Sequence, residues 1–158
     1  MRYNDLTIHE VIKKQIKLAK THGIYGFGIY FYWNYYKILF ENTLNIFLEN
    51  KDINFPFFLI WRNDYFETKY YFKNSNNSEK EKINVNEVKK FTKDIKKYII
   101  DHRYIKIKNK SVIGIYKALK IIKLKKMILK CRKEARRMGI GELFILANIK
   151  EEQIKNFK

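Results

Sequence analysis

A single cysteine, Cys131, stands in 158 residues, so no internal disulfide can form. Disulfide-stapled secreted scaffolds are thereby excluded, and a reducing, cytoplasmic setting fits. One proline, Pro56, and six glycines leave no flexible or polyproline linker. A single domain is the expectation for this length. No apolar run reaches the roughly 20 residues of a membrane helix, and MRYNDLTIHE lacks the apolar core of a signal peptide. Arginine is scarce, supplying six of the 34 basic residues. Readers of base edges favour arginine for its bidentate contacts, and neither zinc-finger spacing nor an RNP-type motif is present. The formal net charge of +18 therefore reads as a lysine-coated, solvated surface, with no specific nucleic-acid partner. A binder of nucleic acid or anionic surfaces is the reading that rests on charge alone. His9, His22 and His102 share no metal-ligand spacing, and no glycine-rich phosphate loop or serine-hydrolase elbow occurs. No metal or cofactor is expected.

Aromatic residues are plentiful. GIYGFGIYFYWNYY, from Gly23, holds eight of them. Its apolar part, Ile24 to Trp33, is too short to span a membrane, and Asn34 and Lys37 follow. A short aromatic and β-branched run after glycine predicts a buried strand. Tyr36, Phe40, Leu44, Phe47 and Leu48 then recur at helical spacing, which predicts a helix over Asn34–Glu49. Upstream, Ile8, Val11, Ile12, Ile16 and Ala19 form the stripe of a helix over Ile8–Lys20. Thr7 and Glu10 give it a capping-box pattern, and Gly23 follows its end.

Further strands are predicted at Phe55–Trp61, Ser111–Tyr116 and Glu142–Ala147, with a short one at Tyr104–Ile107 and a turn at Asn109. Helices are predicted over Asn86–Ile100 and through Leu124, Met127, Cys131, Ala135 and Met138, closed by Gly139. Cys131 reads as a core thiol on that helix. KNSNNSEKEK, Lys73 to Lys82, reads as a loop.

This alternation predicts an α/β fold with about four parallel strands joined by right-handed crossovers. Sites in such sheets collect at the strand C-termini. That rule selects Tyr32, Trp33, Trp61, Asn63, Asp64 and Tyr116. Trp33 and Trp61 could stack on a ligand ring or fill the core. Tyr32 and Tyr116 could donate hydrogen bonds to a ligand or be satisfied internally. Asp64 reads either as an acid/base carboxylate or as an Asx-turn residue.

Four blocks, GIYGFGIYFYW, FENTLNIFLENKDINFPFFLIWRND, RYIKIKNKSVIGIY and CRKEARRMGIGELFILA, together resemble the WbsX-like glycosyltransferase family of bacterial surface-polysaccharide loci, also called glycoside hydrolase family 99-like. The resemblance covers about Tyr3 to Asn148 with block spacing preserved. It implies a (β/α)8 barrel of the TIM type. It also implies glycosyl transfer or glycoside hydrolysis on a carbohydrate or sugar-nucleotide substrate, in making lipopolysaccharide O-antigen or capsule. A full barrel takes about 250 residues. The chain is therefore expected to be a partial barrel, with first and last strands missing. It would be a truncated, inactive remnant, or would close by self-association or by pairing with a complementary barrel half.

The family stretch W-A-N-E-N-W-T, then basic residues and W-D-G, stands here as WRNDYFETKYYF. Trp61 and Asn63 match. Asp64 replaces the family glutamate, Phe66 replaces the second tryptophan, Lys69 is the surviving basic residue and W-D-G is absent. A later apolar segment has become NSEKEKINV. Glycosidic chemistry commonly uses two carboxylates, and Glu67, three residues beyond Asp64, is the available second one. Aspartate withdraws the acid by about 1.5 Å, and a misplacement of about 1 Å can cost on the order of 100-fold in rate.

Overall fold

A computed structural model of the chain describes residues 3–33, 38–63, 85–121 and 124–147. The elements are α1 (Tyr3–Thr21), β1 (Phe27–Trp33), β2 (Ile38–Leu39), α2 (Asn42–Glu49), β3 (Phe57–Trp61), α3 (Val85–Ile99), β4 (Lys106–Ile107), β5 (Lys110–Ile115), α4 (Leu124–Arg137) and β6 (Leu143–Ala147). A 3-10 turn, Ala118–Lys120, precedes α4.

β1, β3, β5 and β6 form a parallel run in which each pairs with the next. A helix joins each neighbouring pair. The crossovers all step one way, so their common hand puts the helices on one face of the sheet. Strand side chains alternate between faces. Phe31, Trp33, Leu59, Trp61, Ile113 and Leu143 enter the core, where they join Phe47 of α2, Phe91 and Ile95 of α3 and Met127 of α4. Tyr30, Tyr32, Phe58, Ile60, Gly114 and Leu146 occupy the second face. This face is less covered: Tyr30 is 43% and Leu146 40% exposed.

The expected alternation of parallel strands and helices is thus present, but the sheet is open. Among the described residues β1 and β6 do not pair, and β2 and β4 attach antiparallel. Two element boundaries also differ from expectation. The helix expected from Asn34 starts at Asn42, because Ile38 and Leu39 fold back on Trp33 and Tyr32. Phe40 then turns the chain with φ 55°. The first helix begins at Tyr3, so positions 7 and 10 lie within it and not at its start.

The helix stops follow the glycines. Gly23 and Gly139 adopt φ 71° and 74°. Ile24 N–H donates to Ala19 at 2.9 Å, and Ile140 N–H to Ala135 at 2.9 Å, the six-to-one closure of a Schellman motif. The turn expected at Asn109 is a two-residue hairpin connection. Lys108 and Asn109 both have positive φ, 48° and 59°, which matches the strand twist.

Tyr104 mends a gap in the sheet. The stretch 103–105 wedges between the N-terminal ends of β3 and β5, with Ile105 N–H donating to Phe57 at 2.8 Å and Val112 N–H to Ile105 at 3.1 Å. The Tyr104 hydroxyl accepts from Leu59 N–H at 3.2 Å and donates to the Val112 carbonyl at 2.7 Å. It stands where a ladder bond would be. Burial pushes its phenol above the ordinary range. Tyr104→Phe leaves two buried backbone groups without a partner and is expected to destabilise the fold by about 2–3 kcal/mol in urea titrations. A loss below about 0.5 kcal/mol would show that the hydroxyl is dispensable.

Candidate functional site

The parallel strands end side by side at Trp33, Trp61 and Ile115. The ladder continues one step further. Arg62 N–H donates to Phe31 at 3.0 Å, and Tyr116 N–H to Trp61 at 3.0 Å. Asn63 then substitutes its side chain for strand backbone. Its Nδ2 donates to the Lys117 carbonyl at 2.8 Å, and its Oδ1 accepts from Lys117 N–H at 2.9 Å. This amide pair fixes where the chain leaves β3.

The strand-end aromatics divide between the two faces. Trp33 and Trp61 point to the helix side and are 6% and 8% exposed. Their rings meet edge to face at 6.1 Å, and both contact Phe91 of α3. Trp33 Nε1 donates to Asp94 at 2.7 Å, a carboxylate that Lys90 also holds at 2.8 Å. Trp61 Nε1 donates to the Trp33 carbonyl at 3.2 Å. Both indoles are thus seated in the core with their N–H groups satisfied.

Tyr32 and Tyr116 lie on the opposite, open face together with Tyr30. Tyr30 packs edge to face on Tyr116 at 5.8 Å and on Tyr32 at 6.2 Å. Arg62 lies over all three, with its guanidinium carbon 4.0 Å from the Tyr116 ring centre, 4.9 Å from Tyr30 and 5.7 Å from Tyr32. The Lys117 ammonium is 5.9 Å from the Tyr116 ring. Below this corner the face is smooth. A Cβ on Gly28 would meet Ile60 at 2.6 Å, and one on Gly114 would meet it at 3.0 Å. Ile60 therefore lies flat across the glycine positions of both flanking strands.

The structure thus gathers Tyr32 and Tyr116, places Asn63 at the seam between β3 and β5, and sends Trp33 and Trp61 to the other side of the sheet. Asp64, Glu67 and Lys69 lie outside the described residues. Tyr30 and Arg62 join the corner without having been singled out by the strand-end rule. Residue parity carries the missing signal, because alternate positions share a face.

Among the described residues no strand position on the open face holds a carboxylate. The nearby acids of the helix side are engaged in the framework. Burial pushes the Glu41 carboxyl up, but hydrogen bonds from Lys97 and Tyr98 outweigh it and hold the group below its usual range. Among the described residues no group of three His, Cys, Asp or Glu side chains could hold a metal ion, and no described helix is long and apolar enough to cross a membrane. Cys131 is buried, and burial pushes its thiol up to about 12. It is expected to resist iodoacetamide at about pH 8 in the native protein and to react on unfolding. Native labelling at the rate of free cysteine would contradict its core position.

A concavity of about 640 Å³ lies away from the strand tips, between α1, the first half of β1 and α2. Its wall is mainly apolar, with Ile12, Leu18, Phe27 and Phe47. Its His22 donor or acceptor Nδ1 is already engaged with the Leu18 carbonyl at 2.9 Å. The strand-end corner is the better candidate, because charged and hydroxyl groups converge there.

No solved structure matches the chain. It aligns at 22% identity over 143 residues with WxcX, an uncharacterized protein of Xanthomonas campestris pv. campestris, in strain B100 and in a second strain. That alignment covers 90% of this chain and 21% of the relative, so the chain spans about a fifth of the curated relatives it matches. The model of the glycosyltransferase WbsX family matches residues 1–158. A match over its entire length shows that this chain belongs to the glycosyltransferase WbsX family.

Proposed function

We propose that the chain forms the sheet sector of a glycosyltransferase-like protein that builds bacterial surface polysaccharide, lipopolysaccharide O-antigen or capsule, and that its substrate lies on the open face at the strand tips. The observation that carries this reading is the Asn63–Lys117 amide pair. It fixes where the described chain leaves β3, next to a face that has tyrosine hydroxyls and cations but, among the described strand residues, no carboxylate.

In this reading Asp64 is the acid/base group, with Glu67 as its partner. As base it takes the proton from an acceptor hydroxyl. The hydroxyl oxygen attacks the anomeric carbon, and the bond from that carbon to the donor's leaving oxygen breaks with its electron pair. If water replaces the acceptor, the same step is hydrolysis. Tyr32 and Tyr116 direct hydroxyls to the sugar, and Lys69 supplies positive charge near the departing group. Trp33 and Trp61 support the strand tips from beneath.

The test is to incubate the chain, shown to be folded by circular dichroism, with a panel of nucleotide-sugar donors and oligosaccharide acceptors. Consumption of one donor is the expected result. A folded chain that consumes none, and that binds no saccharide by calorimetry, sinks the reading.

The open, partly apolar face favours a second reading, a partner subunit of a split barrel. A (β/α)8 barrel needs eight parallel strands, and further strands supplied by other polypeptide would cover Tyr30 and Leu146. Copurification of one complementary chain that restores activity supports it. A well-behaved active monomer in light scattering rejects it.

A further inference from the structure

We infer that α1 and the concavity beside it dock on an anionic lipid surface, with the apolar rim of the concavity entering the bilayer and lysines of α1 meeting lipid phosphates. This goes beyond the proposed function and uses none of the strand-tip residues.

The core does not take up all of the apolar surface of α1. Ile12, Ile16 and Ala19 are buried, but Val11 and Leu18, two turns apart on an adjoining side of the helix, are exposed, Leu18 at 62%. The chain after the helix extends this strip. The closure at Gly23 brings Ile24 N–H back to the Ala19 carbonyl, and Ile24 and Tyr25 are exposed, Tyr25 at 74%. Leu18, Ala19, Ile24 and Phe27 line the concavity of about 640 Å³. That volume is within the roughly 300–1,000 Å³ of small-ligand sites and gives room for an acyl chain. Exposed apolar side chains grouped around an apolar concavity mark an interaction surface. Ile24 and Tyr25 precede β1, at the end of the sheet opposite the strand tips, so docking leaves the candidate site open.

Charge selects the occupant. Lys13 is held by Asp52 at 2.9 Å, and Lys20 lies over the Phe55 ring at 5.9 Å. Lys14 and Lys17 are exposed, and Lys14 stands one turn from both Val11 and Leu18. The acid on this side, Glu10, faces His9 at 3.7 Å. A nucleic acid would meet the lysines and gain nothing from Leu18 and Ile24. An apolar protein face would cover Leu18 and Ile24 and gain nothing from the ammonium groups. An anionic bilayer uses both. The rim enters the acyl layer, the Tyr25 ring sits at headgroup level, and the lysine stems carry their charges up to the phosphates.

The experiment is cosedimentation of the full chain with vesicles at about 150 mM salt, which screens distant charges. The vesicles are phosphatidylcholine alone and phosphatidylcholine with phosphatidylglycerol. The folded wild type is expected to bind the anionic vesicles at least about 10-fold more tightly than the neutral ones. Leu18→Ser combined with Ile24→Ser removes the rim at exposed positions and should weaken binding about 10- to 100-fold, with the melting curve unchanged. Lys14→Gln combined with Lys17→Gln should weaken it about 10-fold or more. Lys126→Gln combined with Lys133→Gln removes the same charge from exposed positions of α4, and should change binding less than about threefold. A folded wild type that leaves the anionic vesicles in suspension overturns the inference. Binding that ignores the loss of Leu18 and Ile24, or that falls equally with either lysine pair, shows diffuse attraction to a basic surface and overturns it too. Self-association that disappears with Leu18 and Ile24, in a chain that ignores vesicles, gives this face to a second copy of the chain and also overturns it.

Discussion

Asp64→Asn is expected to lower turnover about 100- to 10,000-fold without changing the unfolding curve. The substitution is nearly isosteric and removes only the ability to take or give a proton. The expectation rests on position and on chemistry. Asn63 is clamped to Lys117 by two hydrogen bonds, 2.8 and 2.9 Å. Asn63 is thereby fixed at the C-terminal tip of the central strands, where sites in parallel sheets collect. Among the described residues the strands' open-face positions offer no carboxylate, and Asp64 is the first acid after β3 in the sequence.

Initial rates at saturating donor, with melting recorded on the same samples, make the check. Turnover within about threefold of wild type removes Asp64 from proton transfer. Asp64→Glu is a separate readout. The resemblance read in the sequence implies glutamate at this place, and the added methylene moves the acid forward by about 1.5 Å. A gain in rate would mean that the aspartate is a retracted version of the family's acid. Asn63→Ala should lower turnover too, but with some loss of stability, because it releases both backbone groups of Lys117.

The parts of the fold with many repeats of one signal were legible in the sequence. Alternating Phe31, Trp33, Phe57, Leu59 and Trp61 do enter the core, as do Ile12, Ile16 and Ala19 of α1 and Met127, Cys131 and Ala135 of α4. Gly23 and Gly139 stop helices through left-handed conformations that other residues rarely adopt. Where the signal is a single local match it misled. Thr7 and Glu10 have capping-box spacing, yet α1 already runs through them. Tyr36 and Phe40 have helical spacing, yet a two-residue strand, too short to show any period, intervenes at Ile38–Leu39.

The candidate site was legible by location and not by face. Choosing residues near strand ends gathers Trp33 with Tyr32 and Trp61 with Asn63. One residue of displacement along a strand reverses the direction of the side chain. Parity therefore divides the tryptophans from the tyrosines and adds Arg62 and Tyr30 to the latter. The Asn63–Lys117 pair spans 54 residues and depends on β3 and β5 becoming neighbours. No local pattern announces it.

Arg103→Leu is expected to be the most destabilising single change, about 3–5 kcal/mol, because it breaks a buried ion pair and takes a donor from the Ile53 carbonyl. The Arg103 side chain is 4% and that of Asp101 13% exposed. Its Nη2 and Nε reach the Asp101 carboxylate at 2.8 and 2.9 Å. Its Nη1 also donates to the carbonyls of Ile53 at 2.5 Å and Asn50 at 3.2 Å. One side chain thus ties the segment after α2 to the segment after α3. Its own carbonyl accepts Phe57 N–H at the start of β3, at the far end of the sheet from the candidate site. Stability and activity should therefore separate. Arg103→Leu should unfold at lower urea yet keep the wild-type rate per folded molecule, whereas Asp64→Asn should do the reverse.

The pH dependence gives a second check. Hydrogen bonds from Arg103 hold the Asp101 carboxyl below its usual range, against the opposing effect of burial. A depressed folded value means that the stabilisation is complete above the unfolded value, about 3.9, and is lost as pH falls through the folded one. Arg103→Leu has no such contribution to lose. The stability gap between wild type and variant should therefore narrow as pH drops below about 4. A gap that stays constant down to about pH 2 would assign the loss to the Ile53 carbonyl and to packing over Phe47, and would exclude the ion pair as its source.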